Sequence, residues 1–371
     1  MAPPGLPAPW RETSQSPRRP RFPGAPLKPW VLFTLLLAGG AIWVLGSMPL
    51  KQSLEGTLET KAISFQLSAQ PKAYAPTSTT GFLAVPLRGL AISGLREGKP
   101  LSFTLKGTVL RLAAGDVVEW RPSSLQTFFV ALRLPPGTTV HNLHGEAERE
   151  LVLDLRTPNI QGSPDQRIDV SITPPAPAET MPRPHSPGRS ASGSGPLETV
   201  WKQPGQPDRI LNSPVGEFSL LLQGDANLRL RLADPMAMFE PNLPVRDVKF
   251  STTKPSFFDF KKHTIILSNL LSGTLHFGRQ QPLHLRANQF LFLDPSAITQ
   301  LTDLRYQNNH LVVSLVGHAN HIGTGLSHLR PTTELTGTLL SRHLSPEQIS
   351  GFYGFMAGVI TSLLSVFFQA D

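Results

Sequence analysis

The chain has 371 residues, no cysteine, 37 prolines and a formal net charge of +8. Without cysteine there are no disulfides, no thiol nucleophile, no cysteine-ligated zinc finger and no ordinary iron–sulfur cluster. Charged residues at 16% against 40% apolar argue against a charge-solvated disordered chain, and the length suits two or three domains of about 100–200 residues each.

Residues 1–29 hold nine of the prolines, together with Arg11, Arg18, Arg19, Arg21 and Lys28 against one acid, Glu12. Proline blocks helix interiors and sheet ladders, so the stretch reads as a disordered or polyproline-like basic tail. It carries half of the net charge. What remains is a slight positive excess spread over the rest of the chain, so nucleic-acid binding is not expected.

Trp30 to Met48 is nineteen residues without a charge. A bilayer core takes about 20 apolar residues of helix, so 30–48 is predicted to be a transmembrane helix. The basic tail before it and the balanced Lys51, Glu55, Glu59 and Lys61 after it place the N-terminus in the cytoplasm and the bulk of the chain outside. A cleavable signal peptide is the alternative. Its apolar stretch is usually shorter, about 7–15 residues, and ends in a small-x-small site. No good A-x-A pattern follows Gly46, which favours an uncleaved anchor.

From about 54 to 340 the dominant hydrophobic period is 2. Leu101, Phe103 and Leu105 alternate with polar residues, as do Leu151, Leu153 and Leu155, then Ile168, Val170 and Ile172, then Leu228, Leu230 and Leu232. Such alternation marks half-buried, usually antiparallel strands, and many short strands between turn signals suggest sandwiches or barrels. Residues 174–196 hold seven prolines and three glycines with no apolar period. The prediction is a linker at 174–198 between two antiparallel β-sandwich-like units, 53–173 and 199–343, outside the membrane.

One pattern, L-x-G-T-[L/V], recurs at Leu54–Leu58, Leu105–Val109, Leu271–Leu275 and Leu335–Leu339. Two copies fall on each side of the linker, which hints at a duplication, although the irregular spacing excludes a fixed-repeat solenoid. Glycine within a strand signals a bulge or a close backbone approach.

Ser345-Pro346-Glu347-Gln348 predicts a helix start, with Ser as cap, Pro at the first position and Gln closing a capping box. From Ile349 to Phe368 there is no charge. A hydrophobic helix over 345–368 is long enough to form a second transmembrane span. Gly354, Gly358 and Ser362 make a small stripe that suits close helix packing, against 30–48 with its Gly39 and Gly40 or against a second copy of the chain.

No phosphate-binding loop, dinucleotide fingerprint, zinc-protease or nucleophile-elbow motif is present. His310, His318, His321 and His328 form the best metal-like cluster, but regular strand geometry points His318 and His321 to opposite faces, and surface histidines are the simpler reading, as for His141 and His144. Glu146, Glu148 and Glu150 read as a solvated face rather than an acid–base pair. Trp120, Trp201, Phe128 and Phe129 read as core rather than a sugar platform, and Phe257–Phe260 with Lys261 and Lys262 as a buried strand end rather than a membrane contact. No catalytic, cofactor or metal residue is therefore assigned. The expectation is a non-enzymatic, membrane-anchored cell-envelope scaffold or accessory subunit in the inner membrane, with protein partners or self-association through the small stripe. A polysaccharide- or lipid-binding module is the alternative, and an envelope hydrolase or metalloenzyme a more distant one.

Overall fold

The computed structural model describes residues 34, 37, 39–41, 43, 44, 46–68, 81–94, 101–105, 107–122, 126–157, 167–174, 197–211, 216–239, 242–255, 264–294 and 297–368. The basic tail 1–29, the linker apart from 174, 197 and 198, and the run from Phe257 to Lys262 lie outside these residues.

The protein is mainly β. In chain order come β1 (Gln52–Thr60), β2 (Ala62–Leu67), β3 (Gly81–Gly94), β4 (Leu101–Leu105), β5 (Thr108–Leu112), β6 (Val117–Pro122), β7 (Phe128–Arg133), β8 (Thr139–Ala147) and β9 (Glu150–Arg156). Next are β10 (Ile168–Thr173), β11 (Leu197–Lys202), β12 (Arg209–Leu211), β13 (Phe218–Gln223), β14 (Ala226–Leu232), β15 (Ala237–Phe239), β16 (Leu243–Lys249), β17 (Ser251–Pro255) and β18 (Thr264–Ser268). The last are β19 (Leu270–Phe277), β20 (Leu283–Arg286), β21 (Phe290–Leu293), β22 (Ile298–Gln307), β23 (His310–Ala319), β24 (His321–Gly325) and β25 (Thr333–Thr336), followed by helices α1 (Leu339–His343) and α2 (Pro346–Phe368).

The alternating runs fold as their period dictates. Leu101, Phe103 and Leu105 point inward from β4, Leu151, Leu153 and Leu155 from β9, Ile168, Val170 and Ile172 from β10, and Leu228, Leu230 and Leu232 from β14. Each strand hides one face and leaves its polar partners at the surface, which fixes register wherever the hidden face is apolar.

The ladders are antiparallel. One path of neighbours runs β20, β19, β1, β23, β22, β16, β2, β8, β9, β14, β3. At β3 the sheet forks. Its first half pairs with β7, which leads on through β10, β13 and β4 to β5. Its second half pairs with β6, then β11 and β12. Two small sheets accompany this one, the hairpin β17–β18 and the trio β21–β24–β25.

The ladders cross the expected linker freely. β1 sits between β19 and β23, β13 between β10 and β4, and β14 between β9 and β3. The halves 53–173 and 199–343 thus share one sheet and one hydrophobic core, in which Leu54, Trp120 and Phe128 join Leu228, Phe277 and Tyr306. Residues 46–351 form one compact unit, and 1–45 with 352–371 form the other.

In that second unit the described residues from 34 to 44 are helical, as is α2. Gly39 lies against Met356, and a β-carbon at Gly39 would stand 3.0 Å from the Met356 Cε. No helix among the described residues is long and apolar enough to cross a membrane. The side chains of 363, 364 and 366–368 in α2, and much of 30–48, lie outside the description.

Candidate functional site

Within the β-body, the backbone just before β1 and the backbone just after β25 are bound together. The Leu50 N–H donates to the Gly337 carbonyl at 2.9 Å, and Gly337 N–H donates to the Asn320 carbonyl at 2.7 Å. Pro49 and Thr338 form a bridge. Gln52 is only 5% exposed, and its Nε2 donates to Thr338 O at 3.0 Å and to Ser341 Oγ at 3.2 Å. Thr338 and Ser341 close a capping box at the start of α1, with Thr338 N–H to Ser341 Oγ at 2.7 Å and Ser341 N–H to Thr338 Oγ1 at 3.1 Å. Glycine at 337 is required by proximity, since a β-carbon there would strike the Leu50 carbonyl and the Gln52 side chain. The segment that leads into β1 and the one that leads into α1 therefore share one root.

α2 starts as its sequence dictates. Ser345 N–H donates to Gln348 Oε1 at 2.9 Å, and Gln348 N–H to Ser345 Oγ at 3.3 Å, which is the reciprocal box. Beyond Gly351 the helix shows apolar surface: Phe355 is 68% exposed, and Tyr353, Val359 and Ile360 are also exposed. Leu37, Trp43 and Val44 are exposed likewise on the N-terminal segment. Two hydroxyls of α2 bond to their own helix, Thr361 Oγ1 donating to Ala357 O and Ser365 Oγ to Ser362 O, each at 2.9 Å. This is how hydroxyls are satisfied where water is absent. Gly354 and Gly358 have open space beside them.

A groove of about 590 Å³ lies over β1 and β19, ringed by Glu55, Glu59, His276 and His284. Its floor is made by two copies of the recurring motif paired head to tail. Gly56 stands opposite Leu275, Thr57 opposite Thr274, and Leu58 opposite Gly273. A β-carbon at either glycine would strike the leucine and backbone carbonyl of the other strand. The rim is already bonded: Ser272 Oγ donates to Glu59 Oε2 at 2.7 Å, and Thr274 Oγ1 lies 3.4 Å from His284 Nδ1.

The remaining motif copies serve other ends, one as the β4–β5 turn with Gly107 at φ 80°, the other as the root at Gly337. The histidines singled out in the sequence are dispersed. His310 and His318 lie at opposite ends of β23, His321 opens β24, and His328 packs against Phe290 with ring centroids 6.1 Å apart. Among the described residues no three His, Asp or Glu side chains form a group that could hold a metal. Glu146 and Glu150 both meet Arg229, at 3.0 and 3.6 Å, and are spent on surface ion pairs. Trp120 and Phe128 are fully buried, Trp120 edge-on to Phe103, but Phe129, expected in the core, is 54% exposed because the alternation of β7 turns it to the outer face, so these rings make no common platform.

One electrostatic cluster was not singled out. On β6 and β11, Glu119 accepts from Arg121 at 2.6 Å and lies 2.7 Å from the Lys202 ammonium. Burial pushes the Glu119 carboxyl up, but the hydrogen bonds and charges of Arg121 and Lys202 outweigh it and hold the pKa at about 2. Gln52 was missed too, although a glutamine in phase with Leu54, Gly56 and Leu58 is a polar residue on a buried face and asks for partners. No family model, curated protein or solved structure matches this chain.

Proposed function

We propose that this is a membrane-anchored cell-envelope protein whose β-body stands outside the inner membrane and acts as a scaffold or accessory subunit of an envelope assembly, without enzymatic activity. The observation that carries the reading is the shared root, where Gln52 binds both Thr338 and Ser341 and so ties together the points of the chain that follow one uncharged stretch, 30–48, and precede the other, 349–368. Supporting it, the described part of α2 exposes Phe355, Val359 and Ile360 while Thr361 and Ser365 bond to its own backbone. Exposed apolar side chains along the uncharged run from Ile349 onward are costly in water and natural in lipid. Two antiparallel spans put residues 1–29 and the residues after Phe368 on one side, and the arginines of the tail assign that side to the cytoplasm. Gly354, Gly358 and Ser362 offer a small face for self-association or a partner helix.

The absence of native cysteine makes the test clean. With a membrane-impermeant maleimide on intact cells, Ser190→Cys is labelled, whereas Gly5→Cys and Ala370→Cys are labelled only after lysis. A protected Ser190→Cys overturns the placement, and an accessible Ala370→Cys reduces the anchor to one span. In the same series, Gly354→Cys forms a disulfide-linked dimer if the small face pairs two copies.

A second reading, a polysaccharide- or lipid-binding module, is favoured by one observation, a cavity of about 460 Å³ within the β-body.

A further inference from the structure

That cavity lies where the main sheet meets the two small ones. β16, β2 and β8 are neighbours, and all three depart from a regular ladder at one level. The register slips between Ile63 and Phe65, between His141 and His144, and between Arg246 and Lys249. Asn142 and Asp247 sit there with φ of 52° and 54°, a left-handed conformation that costs non-glycine residues of order 1 kcal/mol. The Asn142 N–H donates to Ser64 Oγ at 2.9 Å across the irregularity. Bulges bend strands and re-aim side chains, and clustered strain of this kind marks built sites more than plain packing. β21 and Ile266 of β18 also line it. The volume falls within the roughly 300–1,000 Å³ typical of small-molecule sites.

The chemistry of the lining narrows the ligand. Its buried polar groups already have protein partners. Asp294 Oδ2 accepts from the side chain of Asn320 at 2.7 Å and from its N–H at 3.3 Å, and Thr299 Oγ1 donates to Val245 O at 3.1 Å. None of the buried side-chain polar atoms that lack a partner, among the described residues, belongs to this lining. The buried part of the lining therefore offers a sugar hydroxyl no unpartnered side-chain atom, and the other polar lining residues, Thr139, His141, Ser251, Thr253 and His328, are partly or fully exposed. The lining also leaves hydrocarbon open, since Phe290, Phe292 and Ile266 are only half-buried. Leu326 and Leu329, 77% and 75% exposed, flank His328, which itself lines the cavity. Apolar surface left half-wet recovers about 25 cal/mol per Å² when a hydrocarbon covers it. At the rim, Lys249 is held at 2.9 Å by Asp247 in an ion pair whose side chains are 59% and 61% exposed, a weak pair that an anionic headgroup can exchange.

We infer that this cavity binds the acyl chain of an anionic amphiphile, with the tail against β18 and β21 and the headgroup at Lys249. A membrane phospholipid and a free fatty acid share that chemistry. Only the choice of the phospholipid rests on the membrane placement above.

The test uses the full-length chain reconstituted in phosphatidylglycerol vesicles. One arm carries a phospholipid with a photoactivatable diazirine in its tail, the other a free diazirine fatty acid. Cross-linked residues are mapped by mass spectrometry, and flotation of the vesicles reports anchoring. Labelling of 264–268 and 290–293 is expected, with the arm that labels naming the source. Ile266→Trp, which fills the cavity, lowers that labelling about fivefold. Lys249→Gln, at an exposed position that leaves the fold intact, weakens labelling by the anionic probe and not by a neutral diacylglycerol probe. Labels confined to 30–48 and 349–368, or labelling of β21 unchanged by both substitutions, overturn the inference. Protein that fails to float yet labels β21 with the fatty acid sinks the anchor and leaves the site standing.

Discussion

Among the described residues, glycines that look alike in the sequence are constrained by different physics. Gly56 and Gly273 are held by contact, each with a leucine and a backbone carbonyl of the facing strand where its β-carbon would go. A backbone carbonyl cannot step aside, so Gly56→Ala and Gly273→Ala should each cost about 1–3 kcal/mol, read as a fall in the denaturant midpoint at constant slope. Gly107, with φ 80° and open space around it, is held by conformation alone, and Gly107→Asn should leave the midpoint nearly unchanged. Equal losses at all three positions would refute this division. Glu119 gives a pH signature. Its pKa is depressed in the folded state, from 4.5 to about 2, so its contribution is complete above the unfolded value and is lost as pH falls through the folded one. Arg121 and Lys202 are 41% and 39% exposed, and screening limits the contribution to about 1–2 kcal/mol. The stability gap between the native chain and Glu119→Gln should therefore be constant from pH 7 to about 4.5 and close by about pH 2; a gap that persists at pH 2 would mean the loss is one of packing.

Among elements, the strands were legible and their neighbours were not. The runs at Leu101, Leu151, Ile168 and Leu228 each became a strand with the expected face inward, because a period of 2 states which side of a strand is wet. It does not state which strand lies alongside. β10 could have paired with any inward-facing neighbour, and it lies between β7 and β13. The capping box at Ser345 was legible because its bonds are local, three residues apart. The root at Gln52 was not, because its partners are nearly three hundred residues away in sequence. The cavity was equally hidden: bulges arise from the meeting of β2, β8 and β16, and no single strand sequence announces them. The four motif copies suggested one role, and the fold gives them three, a reciprocal strand pair, a turn and a root.

For the whole molecule, composition spoke about segments and stayed silent about their assembly. The proline-rich stretch at 174–196 reads as a boundary, yet the strands on its two sides alternate within one sheet. A consequence can be measured. The fragment 53–173 on its own lacks both partners of β1, the β13 that joins β4 to β10, and the β14 that joins β3 to β9. It should bind a hydrophobic dye and show no cooperative thermal transition, whereas 46–351 should melt in a single step; a fragment that melts cooperatively would restore two independent domains.

The position of β1 also sets a clock. It is among the first strands to be synthesised, yet its neighbours β19 and β23 come more than two hundred residues later. At ~5–20 residues per second of translation, β1 waits on the order of 10–50 s with both edges bare. A bare, alternating strand is a template for aggregation. Lys51, Glu55, Glu59 and Lys61 put charges on and beside that strand, the pattern by which gatekeeper residues keep a waiting strand from pairing with the wrong chain.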